Sequence, residues 1–167
     1  MAGKFLCVNL HLIWSTKGRR CLIDPQWNHR LHAYMGSVAR FKNARLIEAN
    51  SRADHIHLYT SMPSTISIAD LINALKANAT RWIRLTFPNR RWFSWQEGYA
   101  AFSVGNSQEK ALIEYIRIRM SITDDETLRK NSLNCSVTTG SSLTCNMFLI
   151  KCRAFGAHSS ISTHFPA

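Results

Sequence analysis

Three sets of residues in this chain have types and spacings that could do chemistry. The first is His55-Ile56-His57. On a strand, alternate side chains share a face, so the two imidazoles would lie on one side about 7 Å apart, with Ile56 and Leu58 turned to the core. Such a pair can hold a divalent metal, although two ligands alone do not make a metal site. The plain alternative is two histidines on an exposed sheet face. The second is Tyr115, within Glu114-Tyr115-Ile116-Arg117. A tyrosine can attack phosphate, with a metal ion needed to neutralise the phosphate and the leaving oxygen; otherwise it is a tyrosine at the edge of a core. The third is basic. Lys17, Arg19 and Arg20 cluster early in the chain, Lys76, Arg81 and Arg84 recur at helical spacing, and Arg90 and Arg91 precede Trp92, Phe93 and Trp95. Arginines interleaved with aromatics suit single-stranded or irregular nucleic acid, where bases can stack. A solvated positive face over core aromatics is the competing reading.

The elements that must position these residues alternate in period. Lys4–Thr16 alternates as a strand, with Leu6, Val8, Leu10 and Leu12 on one face. Asp24-Pro25 is a helix start, and that helix should run to about Lys42. Arg45–Asn50 and His55–Met62 read as two strands joined by a hairpin-like Ser51–Asp54 turn. Ser67 with Asp70 predicts a capped second helix, whose apolar stripe is Ile68, Leu71, Ile72, Leu75, Ala79 and Trp82 and which ends at Pro88. Tyr99–Val104 is a fourth strand run, and Ser107 should cap a third helix carrying Leu112, Ile113, Tyr115 and Ile116. The order β-α-β-β-α-β-α predicts an α+β fold of the ferredoxin-like, split βαβ plan, an antiparallel sheet with helices on one face.

Composition narrows the partner. The 167 residues carry 21 Lys and Arg against 10 Asp and Glu, a net charge of +11. A basic domain of this size fits a polyanion, nucleic acid first. No apolar run approaches the roughly 18–20 residues of a membrane span, and the N-terminus does not read as a secretory signal, so a cytoplasmic protein is expected. The five cysteines, at 7, 21, 135, 145 and 152, show no CxxC spacing, which suggests neither a zinc site nor a disulfide framework. Beyond about residue 120 the periodicity stops, and 14 of the 47 residues 121–167 are Ser or Thr. Two regions are therefore expected: a domain over 4–120 and an irregular, poorly ordered tail over 121–167.

Taken together, residues 4–117 resemble the single-tyrosine HUH transposases of the insertion-sequence-200 type. The resemblance rests on HLIWSTKGRR (11–20), ADHIHLYTSMPSTISIADLINALKANATRWI (53–83), FSWQEGYAAFSVGNSQ (93–108) and EYIR (114–117). It implies a ferredoxin-like core that cuts and rejoins single-stranded DNA at hairpin-bearing element ends. It makes His55 and His57 the metal-binding pair and Tyr115 the nucleophile that forms a 5′-phosphotyrosine. It also implies Mg²⁺ or Mn²⁺ as cofactor, a homodimer in which the tyrosine helix often completes the partner's site, and DNA hairpins as partners.

One departure matters. Where the family carries a metal-binding Gln four residues after the tyrosine, this chain has Arg119, a cation with no lone pair for a metal. Reading the codons one nucleotide out of register from Ile118 permits a frame that begins with Gln, contains Glu-His-His and continues as an amphipathic helix. The tail thus reads as an out-of-frame translation, with a disordered linker as the alternative. The functional expectation is a DNA-transposing, strand-cleaving enzyme impaired in this copy. The alternative is a catalytically inactive protein that binds DNA or RNA hairpins without cutting them.

Overall fold

A computed structural model describes residues 6–121. The expectations for the tail from residue 122 onward lie outside the described residues. The elements in chain order are β1 (Asn9–Ser15), α1 (Pro25–Phe41), β2 (Arg45–Ser51), β3 (His55–Ser61), α2 (Ile68–Thr86), β4 (Ala100–Val104) and α3 (Glu109–Ser121), with short 3₁₀ turns after β1, α2 and β4. The strands form one sheet in the order β2-β3-β1-β4, with every neighbouring pair antiparallel. This is the ferredoxin-like α+β plan that the order of periodicities predicts.

Local chemistry explains the boundaries. Asp24 accepts a hydrogen bond from the Gln26 backbone N–H at 2.9 Å, with Pro25 at the first helical position. Asn43 follows the end of α1 with φ of 57°, the left-handed conformation that closes helices and that Asn tolerates. The Ser67 hydroxyl accepts from the Asp70 N–H at 3.1 Å and donates to its carboxylate at 2.7 Å. Each such cap stabilises its helix by about 1 kcal/mol.

One sheet face carries Leu10, Leu12, Trp14, Ile56 and Leu58 against Leu31 and Met35 of α1 and Leu71, Leu75 and Ile83 of α2. The other face is covered differently: Tyr59 packs with Leu112 and Ile116 of α3. Helices α1 and α2 share one face as expected, but the expectation that all helices do is corrected: α3 lies over the opposite face, against β2, because Leu112 and Ile116 cover Tyr59 there.

Three further sequence expectations are corrected. The first strand starts at Asn9, and Leu6 and Val8, expected within it, are 49% and 40% exposed, while Lys4 and Phe5 lie outside the described residues; the Val8 carbonyl takes the N–H of Met62, just past the end of β3. Ile68 is exposed, and Ile83 takes a place in the buried stripe of α2. Ser107 sits inside a 3₁₀ turn, so α3 begins at Glu109 without a Ser107 cap.

Strand β2 carries an irregularity between Leu46 and Glu48. It lets both Leu46 and Ala49 pack towards the α1–α2 core, while Glu48 and Asn50 come opposite Tyr59 and His57. A bulge re-aims side chains in this way, and here it brings Asn50 beside the histidine pair.

Candidate active site

The alternation of β3 places His55 and His57 together, as the sequence predicts, with Ile56 and Leu58 fully buried on the other side. The two rings meet edge-on with centroids 5.1 Å apart. Each has its Nδ1 engaged by a neighbour. The His55 Nδ1 lies 2.5 Å from Asp54 Oδ1. An ionised carboxylate can only accept, so His55 donates from Nδ1, and in the neutral ring the lone pair sits on Nε2. Asp54 also pairs with Arg19 at 2.8 Å. Burial pushes the Asp54 carboxyl up, but the hydrogen bond and charge of His55, followed by Arg19, outweigh it and hold the carboxyl below its ordinary value.

The His57 Nδ1 lies 3.0 Å from Nε2 of His11, in a buried contact with the rings stacked. His11 sits on β1, facing away from Leu10 and Leu12, and burial lowers its pKa to about 4. It is therefore neutral at pH 7, and the two rings share one proton. Sequence reasoning missed His11. The alternation of β1 already put it on the non-core face, but only the β1–β3 register, with His57 opposite Ile13, brings it to His57.

Tyr115 stands over this cluster. Its ring is edge-on to His57 with centroids 6.0 Å apart and to His11 at 6.5 Å. Helix α3 is held there by Leu112 and Ile116, which are 9% and 1% exposed. Two polar ties reach β2: Asn50 Nδ2 donates to the Ile116 carbonyl, and Arg117 Nε pairs with Glu48 at 2.6 Å. A single chain thus brings the candidate nucleophile to the candidate metal pair.

The basic residues divide. The turn after β1 folds against the β2–β3 connection and the segment before β4: the Thr16 and Leu22 N–H groups donate to the Asp54 and Ala53 carbonyls, and Lys17 N–H to Ser94. Gly18 and Arg19 both have positive φ, 63° and 53°. Gly18 accepts this without a Cβ penalty, and the turn delivers Arg19 to Asp54 beside His55. Arg20 lies over the exposed Trp92 ring at 4.3 Å, whereas Phe93 and Trp95 are core residues. Lys17 and Arg81 are exposed. Lys76 is turned inward, donating to the carbonyls of Gln96, Glu97 and Gly98 at 2.8–3.1 Å, and burial lowers its pKa to about 8. Arg84 Nε donates to the Phe93 carbonyl at 2.8 Å. Lys76 and Arg84 thus hold the segment before β4.

The donor set suits a divalent ion. Both histidines have Nδ1 oriented by a neighbour, an arrangement that fixes metal-binding imidazoles; coordination would fall to Nε2 of His55 and, with His57 donating from Nδ1 to His11, to Nε2 of His57. Among the described residues, no group of three or more His, Cys, Asp or Glu is arranged to hold a metal, so further ligands would come from other groups, water or a phosphate.

The family model described as "Transposase IS200 like" matches residues 5–119. The transposase for insertion sequence element IS200 of Salmonella typhimurium is 26% identical over 112 residues, covering 64% of this chain and 73% of the relative. The ISDra2 transposase TnpA of Deinococcus radiodurans is 24% identical over 111 residues, covering 64% and 79%. Among solved structures, a chain described as a transposase from Deinococcus radiodurans R1 superposes with a TM-score of 0.58 at 22% identity, covering 71% of this chain and 95% of the other. A REP-associated tyrosine transposase bound to a REP hairpin gives 0.54 at 14% identity, covering 72% of each. At these identities the structural likenesses speak for the fold.

Proposed function

Because the chain belongs to the IS200-like transposase family, we propose that it cleaves and rejoins single-stranded DNA at hairpin-bearing ends, with Tyr115 as nucleophile. The observation that carries this reading is the position of Tyr115, edge-on to His57 with centroids 6.0 Å apart, inside one chain. The Tyr115 oxygen gives up its proton and bonds to the scissile phosphorus. The bond from phosphorus to the 3′ oxygen breaks, and that oxygen takes up a proton to leave as a 3′-hydroxyl. Because one phosphoester replaces another, the reverse attack by a 3′-hydroxyl rejoins the strand without an external energy source.

His55 and His57 would hold Mg²⁺ or Mn²⁺, which when bound polarises the phosphate and stabilises the leaving oxygen. Asp54 and His11 orient the two imidazoles. The exposed Lys17, Arg20 and Arg81 draw in the DNA backbone, and Arg19 carries charge up to His55. Bound DNA hairpins, a homodimer and a cytoplasmic location belong to the same reading; the hairpin in a structural relative supports the partner class. Arg119, one helical turn after Tyr115 on α3, offers no metal-binding lone pair, so cleavage is slow in this copy.

The test is incubation of the full chain with labelled single-stranded hairpin DNA from element ends and Mn²⁺. The reading expects a protein–DNA adduct stable to denaturant and increased by Arg119→Gln. Tight hairpin binding with no adduct in either protein would leave a hairpin-binding protein instead.

A further inference from the structure

Asn50 is 7% exposed, yet among the described residues its buried Oδ1 has no hydrogen-bond partner. The amide orientation is fixed chemically, because Nδ2 donates to the Ile116 carbonyl, which an oxygen could not do. Leaving a buried amide oxygen unsatisfied is costly, and such an atom in a folded protein calls for a water, an ion or a ligand to pair with it. A candidate metal ligand stands beside it. Asn50 is the residue opposite His57 in the β2–β3 ladder. The two side chains line one small pocket with Ser51, Arg52 and Ile116. His57 stands between Asn50 on β2 and His11 on β1, and its Nδ1 is engaged on the β1 side.

Building on the metal-binding role given above to His55 and His57, we propose that the Asn50 amide oxygen is a third protein ligand of the divalent ion. Hard cations such as Mg²⁺ and Mn²⁺ favour oxygen donors. An amide oxygen supplies one without the added charge of a carboxylate. The same amide plane holds the Ile116 carbonyl, so one side chain joins the ion to the helix that carries Tyr115.

The full chain is titrated with Mn²⁺ alone, following free ion by electron paramagnetic resonance and bound-ion hydration by water-proton relaxation. Asn50→Ala should weaken binding roughly tenfold or more and add one water to the bound ion. Asn50→Asp keeps an oxygen and should hold the wild-type hydration, although it loses the donor to Ile116; a residue that served only as a helix clamp would behave alike in both variants. Anomalous density in Mn²⁺-soaked wild-type crystals gives a readout that needs no variant, and should place the ion in bonding contact with Asn50 Oδ1. An ion held by imidazoles and waters alone, unchanged affinity and hydration in Asn50→Ala, or no Mn²⁺ binding by the wild type would each overturn the proposal. The first two results leave strand cleavage through Tyr115 standing, since that is read separately from the DNA adduct.

Discussion

His11 Nε2 meets His57 Nδ1 at 3.0 Å with both rings buried, so the tautomer of one ring dictates that of the other. For His57 to coordinate through Nε2, its Nδ1 must donate to His11. Long-range ¹⁵N NMR of the Mg²⁺-loaded protein should therefore show His57 protonated at Nδ1 and His11 accepting at Nε2. His11→Phe, which keeps a ring but removes the acceptor, should weaken Mn²⁺ binding by about 10- to 100-fold. A His57 protonated at Nε2 would rule out this role for His11.

The seating of Tyr115 depends on packing more than on charge. The Arg117–Glu48 pair involves a largely exposed Arg117 side chain, and exposed pairs contribute about 1 kcal/mol or less. Ile116 is 1% exposed, and its truncation to Ala should cost about 2–4 kcal/mol. Thermal unfolding should thus drop clearly for Ile116→Ala and little for Arg117→Ala. Equal losses would show that the ion pair, and not the apolar contact, anchors α3.

Basic residues that look alike in sequence should part in a salt titration. Each phosphate contact removed lowers the slope of log affinity against log salt by about 0.7–0.9. Lys17→Ala and Arg81→Ala should each lower it for hairpin DNA. Lys76→Met should leave the slope unchanged and instead reduce stability, because Lys76 serves the carbonyls of Gln96, Glu97 and Gly98. A slope reduced by Lys76→Met would return that residue to the DNA.

Acid should destabilise the fold through His32. Its Nε2 lies 3.0 Å from Ser51 Oγ, and burial, followed by the charge of His29, lowers its pKa from 6.5 to about 4. A histidine whose folded pKa is depressed contributes stability that is present above 6.5 and is lost as pH falls towards 4, because the unfolded chain takes up the proton first. The loss from this group should reach on the order of 2–3 kcal/mol, and His32→Gln should flatten the stability profile between those pH values. An unaltered profile in that variant would remove His32 as the cause.

Much of this was legible in the sequence because it is local. Period-2 and period-3.6 patterns, Asp24-Pro25 and Ser67 with Asp70 located the elements, and alternation alone put His55 and His57 on one face. What was hidden depends on distant pairing. His11 becomes meaningful only through the register with β3, and Asn50 only after the irregularity near Leu46 re-aims β2. The inward turn of Lys76 follows from three carbonyls about twenty residues away in sequence. Leu6 and Val8 alternate as well as Leu10 and Leu12 do, but β3 ends at Ser61, so the pattern outruns its partner strand.

The most direct measurement is the site of covalent attachment. After reaction with a labelled single-stranded element end and Mn²⁺, trypsin should release residues 111–117, Ala-Leu-Ile-Glu-Tyr-Ile-Arg, bearing a nucleotide 5′-phosphate on Tyr115, and Tyr115→Phe should abolish the adduct while hairpin binding persists. An adduct on another residue, or one that survives Tyr115→Phe, would contradict the assignment of Tyr115 as the nucleophile.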